Sequence, residues 1–360
     1  MTQSSNPAPC DIIIPIWNQP NLTDRCLKSL LASGESGLRL ILVDNGSGDP
    51  TQELLDRFRS ESPVPVEILR NISNLGFIKA VNQGIRASRN PWVCLLNNDT
   101  VTTRGWLSEM IRVAESDPRI GLVNPTSNSL GFRPGRLPID AYAEELRSQS
   151  GRWSELSTAL GFCLLARRCL FDRIGLLDES YGMGNFDDDD LSKRIRAEGL
   201  MPVRACGAYV YHEEKASFRK LPGWEKEFEK NRRIFEARWG RSLRILWVVP
   251  PGTSPPLETA LELSRQGHWI TWMSVLDALP ESIRSQAQVS QVPVTARNWR
   301  WKTLLRLMMK RKKPFHLAVC QEEQWRRQAG RLGLFHSARI LPSANPRELL
   351  QECQALSRSQ

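Results

Sequence analysis

The chain has 360 residues, 41% of them hydrophobic, and a formal net charge of +10. This length and composition predict a folded protein of one large domain or two ordinary ones, and they exclude a disordered chain. The N-terminus, MTQSSNPAPC, has neither a basic start nor an apolar core. No apolar run approaches the roughly 20 residues that a membrane helix needs. We therefore expect no secretory signal, no membrane span and a cytoplasmic location.

The positive charge is concentrated towards the C-terminus. Residues 295–345 contain about a dozen Lys and Arg, including KRKKP at 310–314. Such a patch could bind nucleic acid, anionic lipid headgroups or a phosphorylated substrate, or it could be a solvated helix face. The eight cysteines form no CxxC pair, and several lie in apolar runs such as WVCLL. This pattern indicates reduced, buried thiols.

The first part of the chain alternates between short β-branched runs and amphipathic segments. We expect strands at 11–16, 38–43, 66–69 and 92–96, and helices at 21–32, 51–60, 77–88 and 105–116. This alternation is typical of βαβ units and a parallel sheet. Further strands are expected within 159–168 and 201–213, and helices at 167–174, 188–199 and 223–238, with 125–157 mostly loop.

A second alternation begins at residue 243. Strands are expected in LRILWVV, WITWMSVL, FHLAVC and ARILP, and helices at 256–266, at 322–331 and at the C-terminal end. The length after 240 is too short for two full Rossmann domains. The sequence thus predicts a disordered tail at 1–9, a mostly parallel α/β domain at 10–240 and a small Rossmann-like α/β domain at 241–360.

Polar residues follow each of the first four predicted strands. They are Pro15, Trp17 and Asn18 after the first strand, Asp44 and Asn45 after the second, Asn74 and Gly76 after the third, and Asn97, Asn98 and Asp99 after the fourth. Each group alone is an ordinary turn or helix cap. In open α/β sheets, however, ligands bind beyond the carboxyl ends of the strands. Four groups at one sheet edge therefore predict a continuous polar cleft.

The residue types in this cleft suit a nucleotide diphosphate. Asp44 could accept hydrogen bonds from a base or a ribose, and Trp17 could cover a base. Asp99 could hold Mg²⁺ or Mn²⁺, since these cations take oxygen ligands and share them with phosphates. The sequence contains neither a GxxxxGK[ST] loop nor a GxGxxG after the first strand. It therefore lacks the signatures of P-loop kinases and of dinucleotide-binding enzymes.

Four consecutive aspartates, Asp187, Asp188, Asp189 and Asp190, stand at the start of a predicted helix. Considered alone, they indicate a solvated helix start, because acidic side chains favour the positive end of the helix dipole. The surrounding sequence changes that interpretation.

Six motifs occur in the order seen in family 2 glycosyltransferases. They are IIIPIWNQ, ILVDNGSGD, NLGFIKAVNQGI, LLNNDT, the segment from GFCLLARR to NFDDDDLSKRIRAEG, and YVYHE. Over about residues 10–240 the chain most resembles the rhamnosyltransferase-like members that build bacterial surface polysaccharides. The resemblance implies a GT-A fold, a dTDP- or UDP-sugar donor, a divalent metal (Mn²⁺ or Mg²⁺) and transfer with inversion to a glycan or lipid-linked acceptor.

The resemblance also assigns roles on the donor side. Pro15, Trp17, Asn18 and Asp44 would hold the nucleoside, Asn74 and Gly76 would close over it, and Asn45, Asn97 and Asn98 complete this donor set. NND occupies the place of the family's DxD motif, so Asp99 matches the metal-binding aspartate while Asn97 replaces the first one. His212 matches a histidine that often joins the metal shell; without the resemblance it would be a packed histidine at a strand end.

On the acceptor side, FDDDDL lies where the family has E-D-x-D-L. Asp188 would then be the general base, and Asp187 would orient the acceptor or the base. Asp190 would lie near the acceptor or brace the helix, and Asp189 would be solvated. Gly161 would form the floor near the transferred sugar. Crowding of these carboxylates is expected to raise their pKa values and favour proton capture.

The C-terminal domain is expected to serve docking or acceptor binding. Its basic stretch 297–313, with Trp299 and Trp301 interleaved, could contact the inner face of a membrane that carries lipid-diphosphate acceptors. Two other classes stay open: a catalytically silent GT-A-like binding module, and nucleic-acid binding, for which no recognised motif is present. A sugar nucleotidyltransferase would need a Gly-rich N-terminal phosphate loop, which the sequence lacks.

Overall fold

The computed structural model describes residues 9–214, 223–254, 256–275, 279–280, 283, 286, 288–309, 313–333, 337–342 and 345–358. The predicted tail at 1–9 lies outside the described residues except for Pro9. Contacts divide the chain into two units, one made of residues up to Ser154 with Thr158–Ile234, and the other of Glu155–Ser157 with Phe235–Gln360. The assignment of separate functions to 10–240 and 241–360 stays a prediction.

The first unit contains a nine-stranded mixed sheet with helices. Its strands are β1 Cys10–Ile16, β2 Leu38–Asn45, β3 Val66–Asn71, β4 Trp92–Leu96, β5 Thr100–Thr102, β6 Ile120–Thr126, β7 Trp153–Glu155, β8 Cys163–Arg167 and β9 Met201–His212. Its helices are α1 Pro20–Ala32, α2 Asp49–Glu61, α3 Phe77–Ala87, α4 Trp106–Ser116, α5 Ile139–Leu146, α6 Arg168–Ile174, α7 Asp187–Ala197 and α8 Trp224–Trp239. The predicted strands and helices of the first hundred residues are confirmed, with small shifts at their ends.

The prediction that 125–157 is mostly loop was wrong in part. The segment holds the helix α5 and the strand β7, and β6 ends inside it. Sequence signals for these elements are weak: β6 contains Gly121 and Pro125, and α5 follows Pro138 with no side-chain cap. Pairing of β6 with β9 and β8 overrides the local preference.

Strand order in this sheet is β3-β2-β1-β4-β8-β6-β9-β5, with β7 paired to β9. Strands β3, β2, β1 and β4 are parallel neighbours, whereas β8 runs antiparallel to β4. Ile16 lies opposite Asp44, and Asn45 lies opposite Asn71. The carboxyl ends of β1, β2, β3 and β4 therefore meet at one edge, and the amino end of β8 lies beside the last residues of β4.

The sheet is buried because its central strands are apolar on both faces. In β1, Ile12, Ile13, Ile14 and Ile16 are fully buried. The charged residue of β1, Asp11, is also buried. Its carboxylate lies 3.0 Å from Arg39 Nη1 and accepts the backbone N–H groups of Arg89 and Asn90 at 2.6 and 2.8 Å. A buried carboxylate is tolerated when it is paired and hydrogen-bonded in this way.

The second unit is built on five parallel strands. They are β10 Arg244–Val248, β11 Trp269–Ser274, β12 Val289–Pro293, β13 Leu317–Cys320 and β14 Arg339–Leu341, in the order β12-β11-β10-β13-β14. Its helices are α9 Leu257–Arg265, α10 Trp299–Met308, α11 Glu323–Arg331 and α12 Pro346–Arg358. The predicted Rossmann-like α/β architecture is confirmed, although β12 and α10 had not been predicted. Among the described residues, no helix combines the length and apolarity needed to cross a membrane.

Close packing of α3 on β1 gives a test of the core. A methyl group added at Gly84 in α3 would come within 2.3 Å of Ile13 Cγ2, which is buried and β-branched. We expect Gly84→Ala to lower the free energy of unfolding by about 1–3 kcal/mol, since overpacking forces neighbours off their preferred rotamers. Urea unfolding measures this.

Gly330→Ala in α11 is the matched control. No atom lies within 4 Å of the added methyl there, and Ala favours a helix over Gly. Stability equal to wild type in Gly84→Ala would contradict the packing described for α3 and β1.

Candidate active site

The loop after β1 is joined to the loop after β2. Asn18 and Gln19 both adopt left-handed backbone conformations, with φ of 57° and 60°. In this geometry the Asn18 N–H donates to Ser47 Oγ at 2.9 Å, and Asn18 Oδ1 accepts the Gly48 N–H at 2.9 Å. The Trp17 side chain is 39% exposed beside this joint, and Pro15 is half-buried. The structure thus leaves Trp17 available to cover a ligand and uses Asn18 to hold two loops together.

The loops after β2 and β3 are joined more extensively. Asn45 is buried, and its amide donates to Asn74 Oδ1 at 2.8 Å and to Gly76 O at 3.2 Å. Asn45 Oδ1 in turn accepts Asn71 Nδ2 and the Leu75 N–H, both at 3.0 Å. Asn45 therefore braces the loop after β3. These four hydrogen bonds leave no side-chain atom of Asn45 free to bind the nucleotide-sugar donor, which was the role predicted for it.

Asp44 lies beneath these loops with its side chain buried. Asp44 Oδ1 accepts the Ser47 N–H at 3.0 Å, and Oδ2 lies 3.9 Å from Arg70 Nη1. One carboxylate oxygen thus fixes the turn after β2, while the other has only a long contact with a cation. That second oxygen is the atom on Asp44 that could accept a hydrogen bond from a base or a ribose.

Asp99 and His212 meet where β5 pairs with the end of β9. Asp99 Oδ1 lies 3.1 Å from His212 Nε2, and Thr100 is directly opposite His212 in the ladder. Ser129 Oγ lies 2.9 Å from His212 Nδ1, and the imidazole stacks on Phe162 with ring centroids 5.1 Å apart. The ring is therefore held from its second nitrogen and from one face, with Nε2 directed at the carboxylate.

These residues fit a divalent cation. An aspartate oxygen and a histidine nitrogen that lie 3.1 Å apart are close enough to bind the same cation. A hydrogen bond to the second ring nitrogen of the histidine sets its tautomer. Asn97, whose amide lies 3.5 Å from His212 Nε2, has a buried Oδ1 that finds no hydrogen-bond partner among the described residues. Within the same part of the chain, no group of three or more His, Cys, Asp or Glu side chains is arranged so that it could hold a metal ion by itself. A cation held here would depend on ligand oxygens as well as on the protein.

Asn98, the middle residue of NND, has a different environment. Its amide donates to Thr23 Oγ1 of α1 at 2.9 Å. Thr23 is buried in the first turns of α1, so Asn98 ties the loop after β4 to that helix. This placement favours a bracing role over the donor contact predicted from the sequence.

The four aspartates form the first turn of α7 and follow a strained loop. Asn185 and Phe186 have φ of 74° and 70°, a conformation that costs about 1–3 kcal/mol for residues other than glycine and is concentrated at functional sites. Phe186 packs on Phe228 of α8, with ring centroids 5.1 Å apart. The loop is thereby held from outside while it directs the helix start towards the sheet edge.

Asp188 contacts Gly161 directly. Asp188 Oδ2 accepts the Gly161 N–H at 3.2 Å, and Oδ1 accepts the Asp189 N–H at 2.9 Å. Gly161 precedes β8, and the next residue, Phe162, accepts the Asn97 N–H at 2.8 Å through its carbonyl oxygen. Because Phe162 also stacks on His212, a short chain of contacts connects Asp188 with the Asp99–His212 pair.

Burial raises the pKa values of three of these aspartates. For Asp187 it raises the pKa to about 6, and for Asp188 it raises the pKa well above the usual value, with the charges of Asp189 and Asp187 adding to the effect. The pKa of Asp189 is also raised by burial, and Thr158 bonds its side chain. Two expectations need correction: Asp189 is half-buried instead of solvated, and desolvation contributes more than mutual repulsion.

Asp190 lies inside the protein. Its side chain is fully buried, Oδ2 lies 2.8 Å from Arg194 Nε, and Oδ1 lies 3.5 Å from the Tyr181 hydroxyl. Arg194 also donates to the carbonyl oxygens of Ile174, Gly175 and Leu176. This placement favours the bracing role for Asp190 and gives it no surface for an acceptor.

Two buried asparagines that the sequence analysis did not single out hold the loop before α7, residues 175–186, which we call the acidic loop. Asn231 in α8 donates to the carbonyl oxygens of Tyr181 and Gly184 at 2.7 and 2.8 Å. Asn82 in α3 donates to the carbonyl oxygen of Leu177 and accepts its N–H, at 2.9 and 3.1 Å. Asn82 stands in the quoted motif NLGFIKAVNQGI, so its signal was present; Asn231 lies in a charged helix where one more polar residue gives no signal.

The loop after β3 also approaches the acidic loop. A methyl group added at Gly76 would come within 3.1 Å of Gly182 O and 3.2 Å of Met183 Sδ. Gly76 has φ of 91°, which favours glycine. The structure thus brings the loops after β1, β2 and β3 into one hydrogen-bonded group and places that group against the acidic loop.

The mixed, mostly parallel sheet of the first unit and its helices form the GT-A fold of glycosyltransferases. Residues 11–175 match the family model described as glycosyl transferase family 2. This match, over somewhat less than half of the chain, confirms the resemblance that the sequence motifs predicted.

The chain is similar to proteins from Mycobacterium tuberculosis and Sinorhizobium fredii. It is 28% identical over 235 residues to the N-acetylglucosaminyl-diphospho-decaprenol L-rhamnosyltransferase of Mycobacterium tuberculosis, covering 55% of this chain and 74% of that protein. It is 29% identical over 251 residues to the uncharacterised protein y4gI of Sinorhizobium fredii, covering 63% of this chain but 27% of the relative's length.

A solved structure supports the fold assignment. The crystal structure of GalNAc-T7 with UDP, GalNAc and Mn²⁺ matches with a TM-score of 0.52 and 15% identity, covering 64% of this chain and 48% of that one. Similarity at this identity concerns the fold, and the GT-A architecture predicted from the sequence is confirmed.

The buried acid Asp187 gives a test by pH. Burial raises its pKa from the ordinary value of 3.8 to about 6, so between these values the folded chain binds more protons than the unfolded one. Stability is therefore lost as the pH rises through this window. We expect Asp187→Asn to raise the free energy of unfolding, by up to about 3 kcal/mol near pH 8 and by less near pH 5.

Urea unfolding of wild type and Asp187→Asn at the two pH values measures this difference. A gain in stability that stays constant from about pH 5 to pH 8 would contradict the raised pKa.

Proposed function

We propose that the chain is an inverting, metal-dependent glycosyltransferase that moves a sugar from a nucleotide-diphosphate donor to a hydroxyl acceptor in polysaccharide or glycolipid biosynthesis. The observation that carries this proposal is the chain of contacts from Asp188 through Gly161 and Phe162 to His212 and Asp99. It connects a proton acceptor with a pair of cation ligands at the same sheet edge.

The nucleoside end of the donor would lie over the joined loops after β1, β2 and β3. Asp44 Oδ2 would accept a hydrogen bond from the base or the ribose, and the exposed face of Trp17 would cover the base. Pro15, Asn18 and Gly76 would shape this surface through their backbone. Asn45, Asn74 and Asn98 would act indirectly, because their amides already hold the loops in place.

Asp188 would take the proton from the acceptor. As the acceptor oxygen forms a bond to the anomeric carbon, the bond from that carbon to the diphosphate oxygen breaks and the hydroxyl proton passes to the Asp188 carboxylate. A raised pKa makes Asp188 a better proton acceptor once it is ionised. The Gly161 N–H holds its Oδ2, and Asp187, next to it in the first turn, would orient acceptor or base.

Asp99 and His212 would hold the divalent cation, with Asn97 beside them. When bound, Mn²⁺ or Mg²⁺ supplies positive charge for the diphosphate that leaves. The Ser129 hydroxyl and the Phe162 ring would keep the His212 imidazole in the required orientation. The Mn²⁺ present with UDP in the GalNAc-T7 structure is in keeping with this proposal.

For the substrates we infer a dTDP- or UDP-sugar and a glycan or lipid-linked acceptor. The relative from Mycobacterium tuberculosis is named for rhamnosyl transfer to a diphospho-decaprenol, and this similarity supports rhamnose and a lipid diphosphate. A cytoplasmic enzyme that touches the membrane surface would fit such an acceptor.

Removing the proposed base should separate binding from chemistry. We expect Asp188→Asn to lower the transfer rate by about 10²–10⁴-fold, the usual range for a general base, while donor affinity stays close to wild type. Calorimetry and a discontinuous transfer assay measure the two quantities. Asp172→Asn, which changes an exposed aspartate of α6 paired with Arg168, is the matched control; if Asp188→Asn kept the wild-type rate, Asp188 would not be the base.

Removing the proposed cation ligand should affect the donor instead. We expect Asp99→Ala to weaken Mn²⁺-dependent donor binding by about 10–100-fold, the range seen when a metal site loses a supporting group, and to change donor binding little when Mn²⁺ is absent. Thr103→Ala, near the same strand but bonded to Tyr209 O, is the control. Equal affinity of wild type and Asp99→Ala at every Mn²⁺ concentration would contradict the assignment.

A catalytically silent module is the alternative. Such a protein would bind a nucleotide sugar, raising its melting temperature, yet would neither hydrolyse nor transfer it with Mn²⁺ present. Measuring both properties on the wild-type chain with a panel of dTDP- and UDP-sugars distinguishes the two functions.

A further inference from the structure

Helix α10 exposes an apolar stripe on the side opposite its buried face. Trp299, Thr303 and Leu307 are buried, and the Trp325 Nε1–H donates to Thr303 Oγ1 at 2.7 Å. On the other side, Trp301 and Leu305 are 57% and 45% exposed, and Met309, the residue just after the helix end, is 51% exposed. The sequence analysis paired Trp299 with Trp301 at a surface; the structure separates them, with Trp299 in the core and Trp301 in solvent.

Because the inner face already fixes α10 on its unit, the outer apolar residues are not needed for folding. Three large apolar side chains at i, i+4 and i+8 form one continuous ridge along a helix. We call Trp301, Leu305 and Met309 the α10 ridge. Contiguous exposed apolar surface with a polar rim marks an interaction site.

The rim of the α10 ridge is positively charged. Lys302 and Arg306 each follow a ridge residue; both are half-buried, with the Arg306 Nε atom inside, and neither forms an ion pair within the part of the chain that the structure describes. Arg300, on the opposite side, is paired with Glu322. Between Glu281 and Glu322 the sequence has nine Lys and Arg and no acidic residue; Lys310, Arg311 and Lys312 of this stretch lie outside the described residues.

We propose that the α10 ridge docks on an anionic lipid surface, with Trp301, Leu305 and Met309 entering the interface and Lys302 and Arg306 meeting the headgroups. An apolar stripe with Trp and Leu between basic residues is the composition of helices that lie in a membrane interface. A second copy of the chain is a poorer occupant, because symmetric packing would set two equally basic rims against each other.

This inference deepens the proposed use of a lipid-linked acceptor and rests on it for its biological purpose, but not for its test. The full chain is mixed with vesicles of phosphatidylcholine alone or of phosphatidylcholine with phosphatidylglycerol, and bound protein is separated by flotation. We expect binding to the anionic vesicles that weakens as salt is raised, because exposed charges are screened, and much weaker binding to the neutral ones.

Variants assign that binding to the ridge. The triple variant Trp301→Gln, Leu305→Gln, Met309→Gln should lower the partition coefficient on the order of tenfold or more, and Lys302→Gln about fivefold, the effect of one basic residue near an anionic surface. Trp269→Gln, which changes a 46% exposed tryptophan outside the ridge, is the matched control and should bind like wild type. Should the triple variant lose its wild-type melting temperature, the single change Leu305→Glu replaces it.

Several results would overturn the proposal. They are no flotation of the wild-type chain, ridge variants that float like wild type, an equal loss in Trp269→Gln, or self-association that the ridge variants abolish without any lipid binding. Transfer to a water-soluble acceptor, measured in parallel, should be unchanged in the ridge variants; a wild-type chain that floats but transfers nothing would count against the enzyme proposal and leave the docking surface standing.

Discussion

The site depends on hydrogen bonds between loops that follow neighbouring parallel strands. Asn18 joins the loops after β1 and β2, and Asn45 joins those after β2 and β3. Asn45 is buried, so the loops after β2 and β3 cannot separate without leaving its polar atoms unpaired. Parallel pairing brings the carboxyl ends to one edge, and these side chains turn that edge into a single surface.

At the start of α7, burial disfavours the charged form of three aspartates. Burial raises the pKa values of Asp187, Asp188 and Asp189, and the loop before them contains two residues with left-handed backbone. Groups that oppose this cost surround it: Asp190 is paired with Arg194, and Asn231 holds the carbonyl oxygens of the strained loop. Backbone strain and buried charge that neighbouring groups offset are concentrated at functional sites. This fits the role proposed for the start of α7.

Much of the first unit could be predicted because its signals are local. The β-branched run DIIIPI forms β1, and the polar residues after four strands do lie at one edge. Roles within that group could not be predicted, since nothing in DNG or NND says that Asn45 and Asn98 face protein atoms while Asp44 keeps a carboxylate oxygen with only a long contact. The burial of Asp189 and Asp190 could not be predicted either, because it follows from the turn of α7 and from partners such as Thr158 and Arg194. Nor could the different positions of Trp299 and Trp301, which are two residues apart in sequence but lie on opposite sides of α10.

The position of a bound cation relative to the nucleoside tests most directly whether the joined loops, the Asp99–His212 pair and Asp188 form one site. Crystals of the chain grown with Mn²⁺ and a nucleoside diphosphate would give an anomalous difference peak for manganese. We expect that peak in contact with Asp99 and His212, with the base over the loops that carry Trp17 and Asp44 and the diphosphate facing Asp188. A manganese peak elsewhere, or a nucleotide bound away from the joined loops, would contradict it.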